Sequence, residues 1–262
     1  GKGLVNLNET SSILEKEKIS LVSLMAANNE TGVLQPWQEL AEVCSRNGVY
    51  FHCDATQWVG KLDTSGLSNC GSFSASAHKF CGPKGVGWLA TKAPVKMQLG
   101  GAQEFGLRGG TENYPAIASM MVAFKDAQDR ISEVNSRALW RDEFDKGIVA
   151  GIPNSQILGS GKKRLWNTSM VLLPDYENLR WVGKLDKLGF EVSTGSACSV
   201  GKEQGSGIAN HYGLTAGQGR RLVRVSSYFE HSQSDWENLL SAFCLAYKEL
   251  RSDSVSSSVL SL

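Results

Sequence analysis

The sequence predicts an α/β protein, with a partial large lobe built on a mainly parallel sheet and a small C-terminal α/β lobe. In the first lobe, apolar runs over 19–25 and 49–53 predict two buried strands, and the amphipathic segment from Pro36 predicts a helix between them. Such a unit favours parallel strands with ligands beyond their carboxyl ends. In the second lobe, the pattern alternates between strands (166–172, 190–192 and 222–226) and helices (178–188 and 234–250).

The same patterns set the expected domain boundaries. We expect the remainder of the large, ligand-binding lobe to span residues 1–113, a connecting helical segment 114–137, and the small lobe 138–251. The serine-rich end, residues 252–262, is expected to be a disordered tail.

Composition is that of an ordinary globular protein and excludes several function classes. The 262 residues are 41% hydrophobic and 20% charged, and the net charge of +1 provides no electrostatic footprint for nucleic acid. No apolar stretch has the length of a membrane span, and the first residues lack a secretory pattern. The six cysteines form no metal-binding pattern, so we expect no metal, free thiols and a cytoplasmic location.

The most informative segment surrounds Lys79. It reads Ser74-Ala-Ser-Ala-His-Lys79-Phe-Cys-Gly-Pro-Lys-Gly-Val-Gly87, which places a lysine between a short apolar strand and a glycine-rich turn. Ser76 and His78 supply groups that hold a phosphate beside that amine, as a pyridoxal phosphate site requires. A surface lysine in a glycine-rich loop is the structural alternative.

Other polar residues fall where ligands of such a site are expected. Asp54 follows the second strand and can pair with a pyridinium nitrogen, although aspartate is equally suited to a helix cap. Gln57 comes three residues later and can also be a solvated helix residue. Asn29 lies in the polar turn after the first strand, where a purely structural turn residue is the alternative.

Six ordered motifs together resemble those of cysteine desulfurases, in the class V aminotransferase superfamily of pyridoxal phosphate enzymes. The resemblance runs from about residue 19 to about residue 248. The motifs are Asn28-Asn-Glu-Thr-Gly32, His52-Cys-Asp-Ala-Thr-Gln57, Ser76-Ala-His-Lys-Phe-Cys-Gly-Pro-Lys-Gly85, Arg108-Gly-Gly-Thr-Glu-Asn113, Ser193-Thr-Gly-Ser-Ala-Cys-Ser199 and Val223-Arg-Val-Ser226.

The resemblance implies the aspartate aminotransferase-like fold of these transferases and a role for each matched residue. Lys79 would bind the cofactor covalently, and its amine would remove the substrate α-proton. Cys198 would be the nucleophile, on a mobile loop. The remaining roles are pairing with the ring nitrogen (Asp54), donation to the ring's phenolate oxygen (Gln57), phosphate binding (Ser76 and His78), contact with the phosphate of a neighbouring subunit (Thr111), and substrate carboxylate binding (Asn29 and Arg224).

The activity implied is conversion of L-cysteine to L-alanine, with an enzyme persulfide passed to a sulfur-acceptor or scaffold protein. A homodimer is implied through Thr111, and a pathway in sulfur metabolism, either iron–sulfur cluster assembly or tRNA thiolation. Cys198 can instead be an inert buried cysteine, and Arg224 a half-exposed strand residue. Selenocysteine lyase shares nearly the same motifs. A class V transaminase is the third enzyme reading, which Cys198 disfavours because transamination needs no thiol.

The sequence also departs from the family's usual pattern. Family members begin with a segment that carries a Gly-Ala-Thr phosphate loop and, later, a histidine that stacks on the cofactor ring, and neither is in this sequence. The glycine that commonly follows the arginine strand is replaced within Ser227-Tyr-Phe-Glu-His231. We therefore expect roughly the first third of a family member to be absent. A non-catalytic remnant that keeps the fold and binds a partner stands as the alternative from another function class.

Overall fold

The computed structural model of the protein describes residues 3–93, 100–195 and 207–259. The chain divides into two compact units. The first comprises Gly3–Asn28 and Leu34–Val134, and the second comprises Asn29–Val33 together with the chain from Asn135 onward. Within the described residues, no helix is both long and apolar enough to cross a membrane.

The first unit is organised by a four-stranded sheet in the order β1-β2-β3-β4. Pairing is parallel between β1 and β2 and between β2 and β3, and antiparallel between β3 and β4. The predicted mainly parallel sheet is confirmed. The strands are β1 (Leu21–Met25), β2 (Tyr50–Asp54), β3 (Ser72–Ser76) and β4 (Gly87–Thr91).

The helices of the first unit are α1 (Leu7–Lys16), α2 (Trp37–Arg46) and α3 (Tyr114–Asp129). Helix α2 is the predicted crossover from β1 to β2, with Pro36 at its N-cap. Its buried face consists of Trp37, Leu40, Ala41, Val43 and Cys44. Asn47 closes the helix, and Gly48 adopts a positive φ of 65°, a conformation that glycine accommodates without strain.

Strand β1 differs from the prediction of a buried strand. Leu21 is 55% exposed and Met25 is 40% exposed. In the part of the chain that the structure describes, β1 pairs with a strand on its β2 side alone. The continuous apolar run therefore indicated a strand correctly. Complete burial of that strand, however, also requires neighbouring structure on both of its sides.

The second unit contains a three-stranded antiparallel sheet in the order β5-β6-β7. Its strands are β5 (Gln156–Ile157), β6 (Thr168–Leu172) and β7 (Leu222–Ser226). Its helices are α4 (Val134–Gly151), α5 (Asn178–Lys187), α6 (Gly207–His211), α7 (Ala216–Gly219) and α8 (Gln233–Val259). The core between sheet and helices includes Phe144, Ile148, Val171, Trp181, Val223 and Phe243.

Two expectations for the second unit differ from the structure. Residues 190–192 form no strand; the following residue, Ser193, makes a single bridge to Arg224. Three residues of apolar alternation are too few to form a strand when their backbone pairing does not continue along a neighbouring strand. Helix α8 also continues through Val259, into the serine-rich segment for which sequence favours disorder.

Candidate active site

The carboxyl ends of the parallel strands bring predicted site residues together in the first unit. Met25, Asp54 and Ser74 are register partners across β1, β2 and β3. The ladder continues past the strand ends, because the Ala55 amide donates to the Ser74 carbonyl oxygen at 3.0 Å. The Asp54 side chain is consequently presented at the edge where parallel sheets bind ligands.

The carboxylate of Asp54 also has a local structural role. Its Oδ1 accepts a hydrogen bond of 3.0 Å from the Thr56 amide, which is the turn-stabilising contact that the capping alternative predicts. Because this bond uses one oxygen, Oδ2 is left for a second partner. The capping and ligand-binding interpretations of Asp54 are therefore compatible.

Strand β3 ends at Ser76 and leads directly into a 3-10 turn over Ala77–Lys79. The Ser76 Oγ and the His78 Nδ1 lie 2.8 Å apart, within hydrogen-bond distance. This short turn therefore places a hydroxyl, an imidazole and a primary amine together.

The surroundings of His78 are electropositive. Partial burial lowers the pKa of His78, and the nearby ammonium charges of Lys79, Lys84 and Lys61 lower that pKa further. An imidazole with three lysine ammonium groups nearby is suited to bind an anion such as a phosphate group.

Glycines hold the turn against the strand that precedes it. A Cβ on Gly87 would lie 2.4 Å from the Ala75 carbonyl oxygen, and a Cβ on Gly82 would lie 2.8 Å from the Ala77 Cβ. Phe80, 1% exposed, anchors the turn in the core immediately after Lys79. The glycine-rich sequence is therefore a packing requirement of the lysine's position.

Gln57 lies in the turn that follows Asp54, and its side chain is held by a residue that the sequence analysis missed. The Nζ of Lys61 donates to the Gln57 Oε1. Lys61 is only 5% exposed. The signal that could have found it is its spacing, since a residue four positions after Gln57 lies on the same face of a helical turn.

His52 joins two serines beside Asp54. Its Nδ1 lies 2.9 Å from the Ser72 Oγ, and its Nε2 lies 3.4 Å from the Ser74 Oγ. Because Ser74 is the register partner of Asp54, these contacts stabilise the pairing of β2 with β3 close to the Asp54 carboxylate.

In the second unit, the structure brings Asn29 and Arg224 into contact. The Arg224 Nη1 donates to the backbone oxygen of Asn29 at 3.0 Å, so it is the main chain of Asn29 that makes this contact. Burial lowers the pKa of Arg224, and the carboxylate of Glu30 opposes that effect. The Arg224 Nε is buried and has no protein partner in the described residues.

Thr111 takes part in none of the contacts described above. Thr111 lies in the first unit, exposed, in an irregular segment before α3. In the same segment, the Arg108 Nη1 donates to the Gly110 carbonyl oxygen at 2.9 Å. Cys198 falls outside the described residues.

Comparison with known proteins identifies the family. The family model described as aminotransferase class-V matches residues 1–239. A cysteine desulfurase of Cereibacter sphaeroides is 41% identical over 224 residues, covering 83% of this chain and 57% of the relative. A cysteine desulfurase of Klebsiella pneumoniae is 35% identical over 225 residues, covering 84% of this chain and 57% of the relative.

Solved structures agree with this assignment. An X-ray structure of a NifS-like protein from Rickettsia africae superposes with a TM-score of 0.82 at 27% identity, covering 94% of this chain and 68% of that one. The chain thus spans 57% of the length of the two curated relatives described above. From the family match and these likenesses, we conclude that the chain belongs to the class V aminotransferase family, with the corresponding transferase fold.

Proposed function

We propose that this chain carries the greater part of a pyridoxal phosphate-dependent cysteine desulfurase, which converts L-cysteine to L-alanine and retains the sulfur as a persulfide. The observation that carries the proposal is the grouping of Asp54, Ser76, His78 and Lys79 at neighbouring strand ends of one sheet. The curated relatives named cysteine desulfurase support the choice of reaction.

The residues present fit the cofactor. The pair Ser76–His78 lies among ammonium groups and suits a phosphate, the Oδ2 of Asp54 suits a protonated ring nitrogen, and Lys79 suits a covalent bond to an aldehyde. When bound, the cofactor supplies an electron-poor ring that accepts the electron pair released at the substrate carbon.

The chain's own residues perform the remaining steps. The amine of Lys79 removes the substrate α-proton. The thiolate of Cys198 attacks the substrate sulfur, so that an S–S bond forms and the carbon–sulfur bond breaks. The methylene carbon that loses the sulfur then takes a proton, and the α-carbon takes back the proton that Lys79 removed, which completes alanine. The thiolate form is required because the thiol is a much weaker nucleophile.

Substrate binding is assigned to Arg224, with Asn29 shaping its position. Because Arg224 directs Nη1 to the Asn29 backbone oxygen, its Nη2 and Nε remain for the substrate carboxylate. A planar guanidinium is the natural bidentate partner of such a group. The buried Nε, which has no hydrogen-bond partner among the residues that the structure describes, supports this assignment.

We further propose a homodimer that acts with a sulfur-acceptor protein. Helix α3 exposes large apolar side chains, with Tyr114 at 74%, Met121 at 53% and Val122 at 72% exposure. Thr111 lies beside this helix in sequence, consistent with a role at the phosphate of a neighbouring subunit. A cytoplasmic location is supported by the free thiols at Cys44, Cys53, Cys70, Cys81 and Cys244.

Replacement of Cys198 tests the function. The chain, supplied with pyridoxal phosphate and L-cysteine, is expected to form alanine and a trapped persulfide, and Cys198→Ala is expected to bind the cofactor but release no sulfur. Cys81→Ala is the matched control, since Cys81 is an exposed cysteine that forms no disulfide within the described residues. Sulfur release by Cys198→Ala would refute the persulfide role.

Failure of the wild-type chain to turn over any cysteine or selenocysteine would favour the non-catalytic remnant. A faster rate on selenocysteine would favour the lyase.

A further inference from the structure

Lys61 is a buried charge next to a proposed cofactor ligand. It is 5% exposed, and its Nζ donates to the Gln57 Oε1. Lysine is almost never buried to this degree without a partner, because an ammonium loses its hydration. The burial of this ammonium beside Gln57 therefore needs an explanation, since a lysine that served only solubility would lie on the surface.

The backbone around Lys61 is fixed to the segment that carries Lys79. The Lys61 amide donates to the Trp58 carbonyl oxygen at 3.0 Å, and the Trp58 indole donates to the Asp63 carbonyl oxygen at 2.7 Å. A Cβ on Gly60 would lie 2.3 Å from the Cβ of Phe80, the residue after Lys79. The turn that holds Gln57 and Lys61 thus packs directly against the lysine turn.

The chemistry of the two side chains determines which end of the amide is presented. A glutamine amide has one accepting end, Oε1, and one donating end, Nε2, whereas an ammonium can only donate. Pairing Lys61 with Oε1 therefore leaves Nε2 free to donate to another group. In the absence of Lys61, the amide could rotate and present its oxygen instead.

We propose that Lys61 is a positioning residue that holds Gln57 with its amide NH₂ directed outward as a donor. The inference rests on the proposed function, because the acceptor would be the phenolate oxygen of the cofactor. The ammonium also places a positive charge behind that donor. Lys61 is also close enough to His78 to lower the pKa of that imidazole, although burial and the charges of Lys79 and Lys84 have larger effects. The carboxylate of Asp54, at the end of β2, precedes Gln57 by three residues.

A double-mutant cycle tests whether Lys61 acts through Gln57. Lys61→Met keeps the length of the side chain and removes its charge. This change is expected to weaken pyridoxal phosphate binding about tenfold, which corresponds to the loss of one charge-assisted hydrogen bond. Lys61→Arg keeps the donor and is expected to bind like the wild type. In a Gln57→Ala background, Lys61→Met should cause a clearly smaller loss than it does alone, because only the direct effect of its charge on the phosphate remains. Unchanged binding in Lys61→Met, or additive losses in the double variant, would overturn the inference.

A measurement without the cofactor separates this inference from the proposed function. In ¹⁵N NMR spectra of the chain, the side-chain NH₂ of Gln57 is expected to be rigid in the wild type and mobile in Lys61→Met, while the melting temperature checks that both are folded. Equal mobility of that NH₂ would overturn the inference. Failure of the folded wild type to take up pyridoxal phosphate would instead refute the proposed function, and the NMR comparison would still decide the role of Lys61.

Discussion

The guanidinium of Arg224 donates through Nη1 to the backbone oxygen of Asn29, 3.0 Å away and 195 residues earlier in the chain. The strand β7 thus holds its arginine against the turn that carries the Asn-Asn-Glu-Thr-Gly motif. One nitrogen of Arg224 is used structurally, and Nε is buried without a partner in the described part of the chain, so the two roles of Arg224 can be separated by experiment.

Replacement of Arg224 by lysine is predicted to weaken the binding of cysteine about 10- to 100-fold, because a single ammonium cannot both reach the Asn29 oxygen and make a bidentate contact. The dissociation constant for cysteine, from the change in absorbance of the cofactor-loaded chain, measures this. Arg220→Lys is the control, since Arg220 is an exposed residue paired with Glu177. Equal losses in both variants would contradict a carboxylate-binding role.

Replacement of Ser76 by alanine is predicted to weaken binding of pyridoxal phosphate about three- to tenfold, since the phosphate would lose a hydroxyl and His78 would lose the partner at 2.8 Å. Titration of the cofactor into the chain, followed by fluorescence, provides the dissociation constant. Ser160→Ala, on an exposed turn of the second unit, should bind like the wild type. Unchanged affinity in Ser76→Ala would exclude Ser76 from phosphate binding.

His78 is predicted to titrate below its usual value of about 6.5, because partial burial and the charges of Lys79, Lys84 and Lys61 lower its pKa. The unfolded chain then binds more protons at His78 than the folded chain, so this contribution to stability is present above that value and is lost as pH falls through the folded pKa. NMR titration of the imidazole measures the shift. Lys84→Met should raise the pKa, and a folded-state pKa above the usual value would contradict the assignment.

A buried ion pair in the second unit is predicted to be the most sensitive point for stability. The carboxylate of Asp145 accepts hydrogen bonds from the Arg164 Nη2 and the Ser169 Oγ, and the side chains of Asp145 and Arg164 are 9% and 6% exposed. Asp145→Ala would leave a buried guanidinium, although Asp142 lies 3.7 Å from its Nη2.

The expected loss for Asp145→Ala is about 3–5 kcal/mol in the free energy of unfolding, measured by urea denaturation. Asp186→Ala, at an exposed position of α5, should change that free energy by less than about 0.5 kcal/mol. A small effect at Asp145 would show that Asp142 compensates for the missing carboxylate.

Much of the fold could be predicted because local pattern and tertiary structure agree. The strand β7 has its predicted bounds, and the amphipathic segment after Pro36 forms α2 with one buried face, as predicted. The exposure of β1 could not be predicted, because it depends on which strands are available as neighbours. Residues 190–192 have strand-like alternation, but Ser193 alone forms a bridge. Pairing is a property of two segments, and alternation in one of them does not determine it.

For the candidate site, sequence patterns predicted the position of residues in the fold better than their contacts. Asp54 lies at the carboxyl end of β2, as the strand–helix–strand unit predicts, and Lys79 follows β3, between a strand and a glycine-rich turn as its motif predicts. The partner of Gln57 was missed, because the four-residue spacing of Lys61 indicates a shared face but not that the lysine is buried. The contact of Arg224 with the Asn29 main chain was also not predictable, because backbone acceptors are present at every residue.

The most direct test of the account is the intact mass of the chain after incubation with pyridoxal phosphate and reduction by borohydride. The account predicts one added mass of cofactor size, located by peptide mapping at Lys79, and absent from Lys79→Ala. Lys163→Ala, at an exposed position of the second unit, should be labelled like the wild type. No added mass in the wild type, or an undiminished mass in Lys79→Ala, would contradict the account.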